Sequence, residues 1–252
     1  MSDHAPETVR RTRAVSAAVE LIAVVTDYRS LRPLRIRHLT VAAGERVALL
    51  GLEPRAAETV LDLIAGAMVP DDGEVRVLGR STREIRTPDA WLESLELLGL
   101  VTPRAVLLEA LSVVQNVALA LTVRLDPPSA ADAASAEALA DEVGIAKDAF
   151  GQPASAIGAA ARLRVRVARA LAPGPKVLAL DHPTAGLSAM EVATFATDLA
   201  RVAAARRLAV LVLTDDRRLG AQACHRSLRV RPATGDVEVV RTWRWPRWSG
   251  GV

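Results

Sequence analysis

ERVALLGLEPRAAETVLDLIAGAMVPDDGEVRVLG, residues 45–79, has the frame of a phosphate-binding loop with other residues in the working places. An apolar strand, Val47–Leu50, ends at Gly51. A short loop follows, then an amphipathic helix carrying Val60, Leu61 and Ile64. A strand, then G-x-x-x-x-G-K-[ST], then a helix is the arrangement in which helix N-terminal amides meet phosphate oxygens. Counted from Gly51, Ala56 stands at the second glycine, Ala57 at the lysine and Glu58 at the magnesium-binding hydroxyl. Ala57 supplies no point charge for the phosphates. Glu58 puts a carboxylate beside anions that it repels. Pro54 removes one backbone N–H from the loop. Arg55 is the one cation there, either a partial replacement for the lysine or a solvated side chain. The candidate anion-facing stretch is therefore Gly51, Leu52, Glu53, Pro54, Arg55, Ala56, Ala57, Glu58 and Thr59. Taken alone, the segment also reads as an ordinary strand–loop–helix of an α/β fold.

Four further stretches narrow that choice. LIAGAMVPDDGEVRVLGR (residues 63–80) places Asp72-Gly73 as a turn before a short strand. ALSVVQNVALAL (residues 110–121) has helical spacing of its apolar positions. RVRVARALAPGPKVLALDHPTAGLS (residues 164–188) runs from a helix into a short apolar strand ending at Asp181, and LAVLVLTDD (residues 208–216) is a second such strand. In this order and spacing the segments resemble the nucleotide-binding subunit of an ABC transporter. The likeness covers roughly residues 19–240, and the ARAL…LALD-x-PT-x-GL run is its most specific part.

The resemblance implies a P-loop NTPase (ABC ATPase) α/β fold: a mostly parallel core sheet, an antiparallel β subdomain and a helical subdomain. It implies ATP and Mg2+ as cofactors, and it places the working residues. Tyr28 stands where an aromatic residue stacks on adenine, with packing at a subdomain edge as the other reading. Gly158 stands at the signature serine that touches the partner's γ-phosphate. Asp181 is the Walker B aspartate, a candidate metal ligand or a loop cap. His182 replaces the glutamate that polarises the attacking water; imidazole as a class can serve as a general base near neutral pH, which leaves that role open. Ser188 replaces the D-loop aspartate, Asp215 the switch histidine, and Pro103 the Q-loop glutamine. Two such subunits pack head to tail, each ATP lying between one P-loop and the partner's signature. A homodimer of this chain therefore has no intact site, and pairing with a competent subunit leaves a defective half in both.

Composition fits this assignment. With 252 residues, half of them hydrophobic, the chain can bury a large core as one domain or two lobes. Alternating strand and helix patterns argue for a largely parallel sheet. A helical lobe is expected over about 89–160, where strand signals vanish, and DPPSAADAASAEA (residues 126–138) reads as a turn and then an alanine-rich helix. Residues 1–18 read as a flexible tail without the apolar core of a signal peptide. No run approaches the roughly 18 apolar residues of a membrane helix. The single cysteine, Cys224, allows no internal disulfide and fits a reducing compartment. The net charge of +3 comes from dispersed arginines, with Lys147 and Lys176 the only lysines, and aromatics make up 3% of the chain. That pattern offers no stacking platform, so no nucleic acid is expected. The last segment, 241–252, alternates Arg241, Arg244 and Arg247 with Trp243, Trp245 and Trp248. It reads either as an interfacial anchor or as an extension of the final strand.

These residues together read as a degenerate ATP-binding cassette subunit, a pseudo-ATPase. Such a subunit sits on the cytoplasmic face of the plasma membrane, docks on a permease through residues 98–116, and pairs with itself or with another ABC ATPase subunit. Two alternatives stay open. One is an active ATPase with unusual site residues. The other is a soluble regulatory protein that uses the fold as a binding platform.

Overall fold

The computed structural model describes residues 16–240 of the chain. Its centre is a six-stranded sheet. The strands are β3 (Arg46–Leu50), β6 (Leu98–Val101), β7 (Val177–Asp181), β8 (Ala209–Leu213), β9 (Arg226–Val230) and β10 (Val237–Val239), in the order β10-β9-β3-β8-β7-β6. Pairing is parallel from β9 to β6, and β10 adds an antiparallel edge. Every residue of β7 and β8 is buried. This explains their unbroken apolar runs, because a parallel strand is covered on both faces. Alternate side chains divide between two cores: Leu178, Leu180, Val210 and Val212 on one face, Val177, Ala179, Ala209, Leu211 and Leu213 on the other.

The first face is covered by α5 (Ala159–Leu171), α6 (Ala189–Arg206) and the helices α3 (Val113–Ala118) and α4 (Ala130–Glu142). The second is covered by α1 (Pro54–Ile64) and an antiparallel sheet. That sheet, of order β2-β1-β4-β5, joins β1 (Ala17–Thr26), β2 (Leu34–Ala42), β4 (Asp72–Val77) and β5 (Arg80–Ser81). α2 (Pro88–Glu96) precedes β6, and α7 (Arg217–Ala223) follows β8. Side-chain oxygens start most of these helices: Thr87 caps α2, Ser112 caps α3 and Ser129 caps α4, while Ser188 closes a capping box with Glu191 at α6. Ser188, at the D-loop position, thus serves as a helix cap.

Several expectations are corrected. Residues 89–160 are not purely helical, since Leu98–Val101 forms β6, hydrogen-bonded to β7 at the edge of the main sheet. Four residues carry too little pattern to separate from a helical run. β1 starts at Ala17, so the last two residues given to the N-terminal tail are strand. Asp72-Gly73 opens β4 itself, beside a break in the β1–β4 register between Ile22 and Val25. Gly73 has φ +81°, and a Cβ there would lie 2.3 Å from the Ala23 carbonyl oxygen, so only glycine lets the strands close. Arg241–Val252, with its tryptophans, lies outside the described residues. Among the described residues no helix is long and apolar enough to cross a membrane.

Candidate functional site

Parallel pairing puts the carboxyl ends of β3, β7 and β8 on one crest, where ligands bind in open α/β sheets. Leu49 pairs with Leu213, and Leu213 with Asp181. Two residues past that row stand Gly51 and Asp215. The Gly51 N–H donates to Asp215 Oδ1 at 3.1 Å. The amide that opens the loop after β3 is therefore held by a carboxylate of the chain.

The loop itself is shorter than the motif frame requires. α1 begins at Pro54, with Glu53 as its N-cap residue, and the Ala57 N–H already donates to the Glu53 carbonyl at 2.9 Å. Proline at the first helical position suits this early start. Arg55, Ala56, Ala57 and Glu58, expected in the loop, thus belong to the first turns of the helix. Ala56 and Ala57 are buried at 4% and 0% exposure, so the lysine position points into the core. The Thr59 hydroxyl donates to the Arg55 carbonyl at 2.8 Å within the helix. Leu52 is buried as well.

On one side of this turn lies a cavity of 410 Å³ lined by Tyr28, Arg32, Gly51, Leu52, Glu53 and Ala56, among others. The Tyr28 O–H donates to Glu53 Oε1 at 2.8 Å, and the Ser30 hydroxyl reaches the same oxygen at 3.3 Å. Burial raises the Tyr28 phenol above its ordinary pKa, and the Glu53 carboxylate adds to the effect. On the other side, a 320 Å³ cavity is lined by Pro54, Arg55, Glu58, Asp62, Pro103, Arg104 and Asp181. Glu58 forms an ion pair with Arg104, joining α1 to the segment after β6. Burial raises the Asp62 carboxyl. Asp181, buried at the end of β7, has Oδ1 2.7 Å from His182 Nδ1. The His182 backbone sits at φ +41° with its N–H on the Leu213 carbonyl. Asp181, Glu58 and Pro103 therefore line one cavity, and Asp215 reaches Gly51. Gly158 lines neither cavity; it is the exposed N-cap of α5, with no side-chain cap.

Two residues escaped the sequence reading. Arg104 is the partner of Glu58. Asp216 caps α7 through the Arg218 and Leu219 N–H groups and accepts the Thr184 hydroxyl at 3.1 Å, tying the segment after β7 to the end of β8. Asp216 did carry a signal, since an aspartate before a helical run is a cap signature. Arg104 carried none.

The strand-end crest, the helix after β3 and the antiparallel subdomain define a P-loop ABC cassette. The chain belongs to the ABC transporter family, whose model matches residues 34–185. It is 30% identical over 185 residues to the lipoprotein-releasing system ATP-binding protein LolD of Psychrobacter arcticus, covering 73% of this chain and 81% of that protein. The LolD of Chromohalobacter salexigens is 32% identical over 183 residues, 73% of this chain and 76% of that one. Among solved structures, cbiO1 from Clostridium perfringens, part of the ABC transporter complex cbiONQ, shares the fold. Its TM-score is 0.74 at 22% identity, over 89% of this chain and 87% of that chain.

ATP binding is a family property, so the fit of Mg-ATP to these residues can be tested. The first loop amide is taken by Asp215, the lysine position is buried alanine, and the magnesium hydroxyl position is a carboxylate paired with Arg104. Three carboxylates (Glu58, Asp62, Asp181) and two guanidiniums (Arg55, Arg104) line the cavity beside the first turns of α1. The residues do not fit Mg-ATP there.

Proposed function

We propose that this chain is a non-hydrolysing subunit of an ABC transporter complex, a pseudo-ATPase that binds Mg-ATP weakly or not at all. The observation carrying the reading is the bond between the Gly51 N–H and the Asp215 carboxylate, made while the helix starts early at Pro54. Nucleotide phosphates and this carboxylate compete for one amide, and the two charges repel. His182 is engaged with Asp181, which supports a structural role over a general base. The subunit acts as structural or regulatory partner of a permease, on the cytoplasmic face of the membrane. It docks through residues 98–116 and pairs with a second cassette, its own copy or a competent one.

Thermal stability of the purified chain against Mg-ATP, from micromolar to millimolar, tests this. A ligand bound only by the folded state at a hundredfold its Kd stabilises by roughly 2.7 kcal/mol. No shift at millimolar Mg-ATP is expected. A clear shift, with Mg-dependent hydrolysis lost in Asp181→Ala, would establish instead the active ATPase. That second reading is favoured by Arg55 and Asp181 lining one cavity. Isolation from its host with no membrane protein attached would point to the soluble regulatory protein.

A further inference from the structure

α2 lies on the molecule without being packed into it. Not one of its nine residues is buried. One anchor is Trp91, whose indole N–H donates at 2.9 Å to the Ala65 carbonyl at the end of α1. Ala90, Glu93, Ser94 and Leu97 recur at three- and four-residue spacing, so they share one face of the helix. That face does not close on the protein. It roofs a cavity of 540 Å³ whose other walls are the end of α1, the β4–β5 hairpin with the turn after it, and the start of β6. The cavity shares no lining residue with the two beside the loop after β3.

Protein interiors are close-packed, and a space of this size under a helix forfeits contacts that a guest can supply. Its volume is in the range of small-molecule sites, which combine an apolar lining with a few polar groups. The lining here is apolar at Ile64 and Leu98, both buried, and at Val77 and Ile85, both half-buried. The charged groups are unequal in sign. Glu84 and Glu93, both exposed, stand against Arg80 alone, and among the described residues neither carboxylate forms an ion pair. Arg76 and Arg83 are committed elsewhere: Arg76 pairs with Glu74, and Arg83 donates to the carbonyls of Pro70 and Gly73. Thr82, in the same wall, is 3% exposed, and its hydroxyl has no hydrogen-bond partner. A buried hydroxyl without a partner is costly, and rotation about χ1 turns it toward a guest.

We infer that this cavity binds a small free amine of the alkylammonium class. The apolar body fills the space under α2, and the ammonium meets Glu84 and Glu93, with the Thr82 hydroxyl oxygen as a third acceptor. Both carboxylates belong to the cavity wall itself, so the ligand's charge must adjoin its apolar part. An aminophospholipid, with a phosphate between chain and ammonium, is repelled by two carboxylates.

Three eight-carbon probes test the site: n-octylammonium, 1-octanol and octanoate. Each is titrated into the full chain while the Ile64 and Ile85 methyl signals are followed by NMR. Octylammonium should shift both methyls and bind about three- to fivefold tighter than octanol, the scale of a partly exposed ion pair. Octanoate should bind weakest. Glu84→Gln with Glu93→Gln, both at exposed positions, should bring octylammonium to within about twofold of octanol. Ala90→Phe should weaken both by filling the cavity, whereas Leu92→Phe, at an exposed position of α2 outside the lining, should change neither. Octanol or octanoate binding as tightly as octylammonium would overturn the amine site, as would an ammonium preference that survives the double Gln variant. Displacement of octylammonium by lysophosphatidylethanolamine would overturn the free amine as occupant. Methyl signals that stay in place with all three probes at millimolar concentration would show that the cavity takes no guest.

Discussion

Gly51 and Asp215, 164 residues apart in the chain, meet through a backbone N–H···carboxylate bond of 3.1 Å. They meet because β3 and β8 pair in parallel with Leu49 opposite Leu213, so the next turns of both strands emerge side by side. A glycine amide at a strand end is a generic anion donor. In this protein the anion is supplied from within.

Removing that anion should open the amide. Asp215→Ala takes away one negative charge and one bond at an exposed position, so stability should fall by less than about 1 kcal/mol. Calorimetric titration with Mg-ATP should then show equal or modestly higher affinity, still without hydrolysis. A loss of nucleotide affinity in this variant would contradict the arrangement, since Asp215 would then be assisting the ligand.

Ala57→Lys separates the two readings of the family motif most sharply. In a working loop the new lysine restores a phosphate contact. Here Ala57 is fully buried within α1, so the long charged side chain must displace core packing. The expected cost is about 1–3 kcal/mol. A melting curve should fall by several degrees, on the scale of roughly 2–4 °C per kcal/mol for a chain of this size. Nucleotide binding should not improve.

Acid sensitivity should involve Glu45. Burial alone would raise its pKa, but hydrogen bonds from Arg226 and the Ala42 N–H, with the Arg226 charge, hold it below the ordinary carboxylate range. A carboxyl whose folded pKa is depressed contributes its full stability above the unfolded value, about pH 4.3, and loses it as pH falls through the folded value. Denaturant melts between pH 7 and pH 3 should show stability declining below about pH 4.3. Glu45→Gln should be less stable at pH 7 and flatter across that acid range.

Deleting residues 243–252 should weaken recruitment to the membrane if the alternating tryptophan and arginine side chains act at an interface. Membrane-bound and soluble fractions of the tagged chain, with and without the deletion, measure this. Unchanged partition would assign those residues to packing on the domain edge.

Much of the fold is legible in the chain because its core strands declare themselves. Val177–Leu180 and the run from Leu208 to Leu213 are apolar on both faces, a pattern that only a covered parallel strand needs. Val60, Leu61 and Ile64 mark the inner face of α1, and all three are buried. β6 is not legible in the chain because its four residues, one of them glycine, offer no periodicity. The early start of α1 had a signal in Pro54, which suits a first helical turn.

The amino-acid sequence by itself determined the α/β architecture, through local apolar patterning, and the family, through the resemblance carried by the order and spacing of its segments. Only the tertiary structure decided what these side chains touch. Whether Glu58 repels a ligand or pairs with Arg104, whether Asp215 is solvated or holds the Gly51 amide, and which acidic side chains Arg162 and Arg164 of α5 meet depend on neighbours distant in sequence. Local propensity carries no record of those contacts. They arise when the parallel register aligns three strand ends and the packing of α1 and α5 brings the segment after β6 against them.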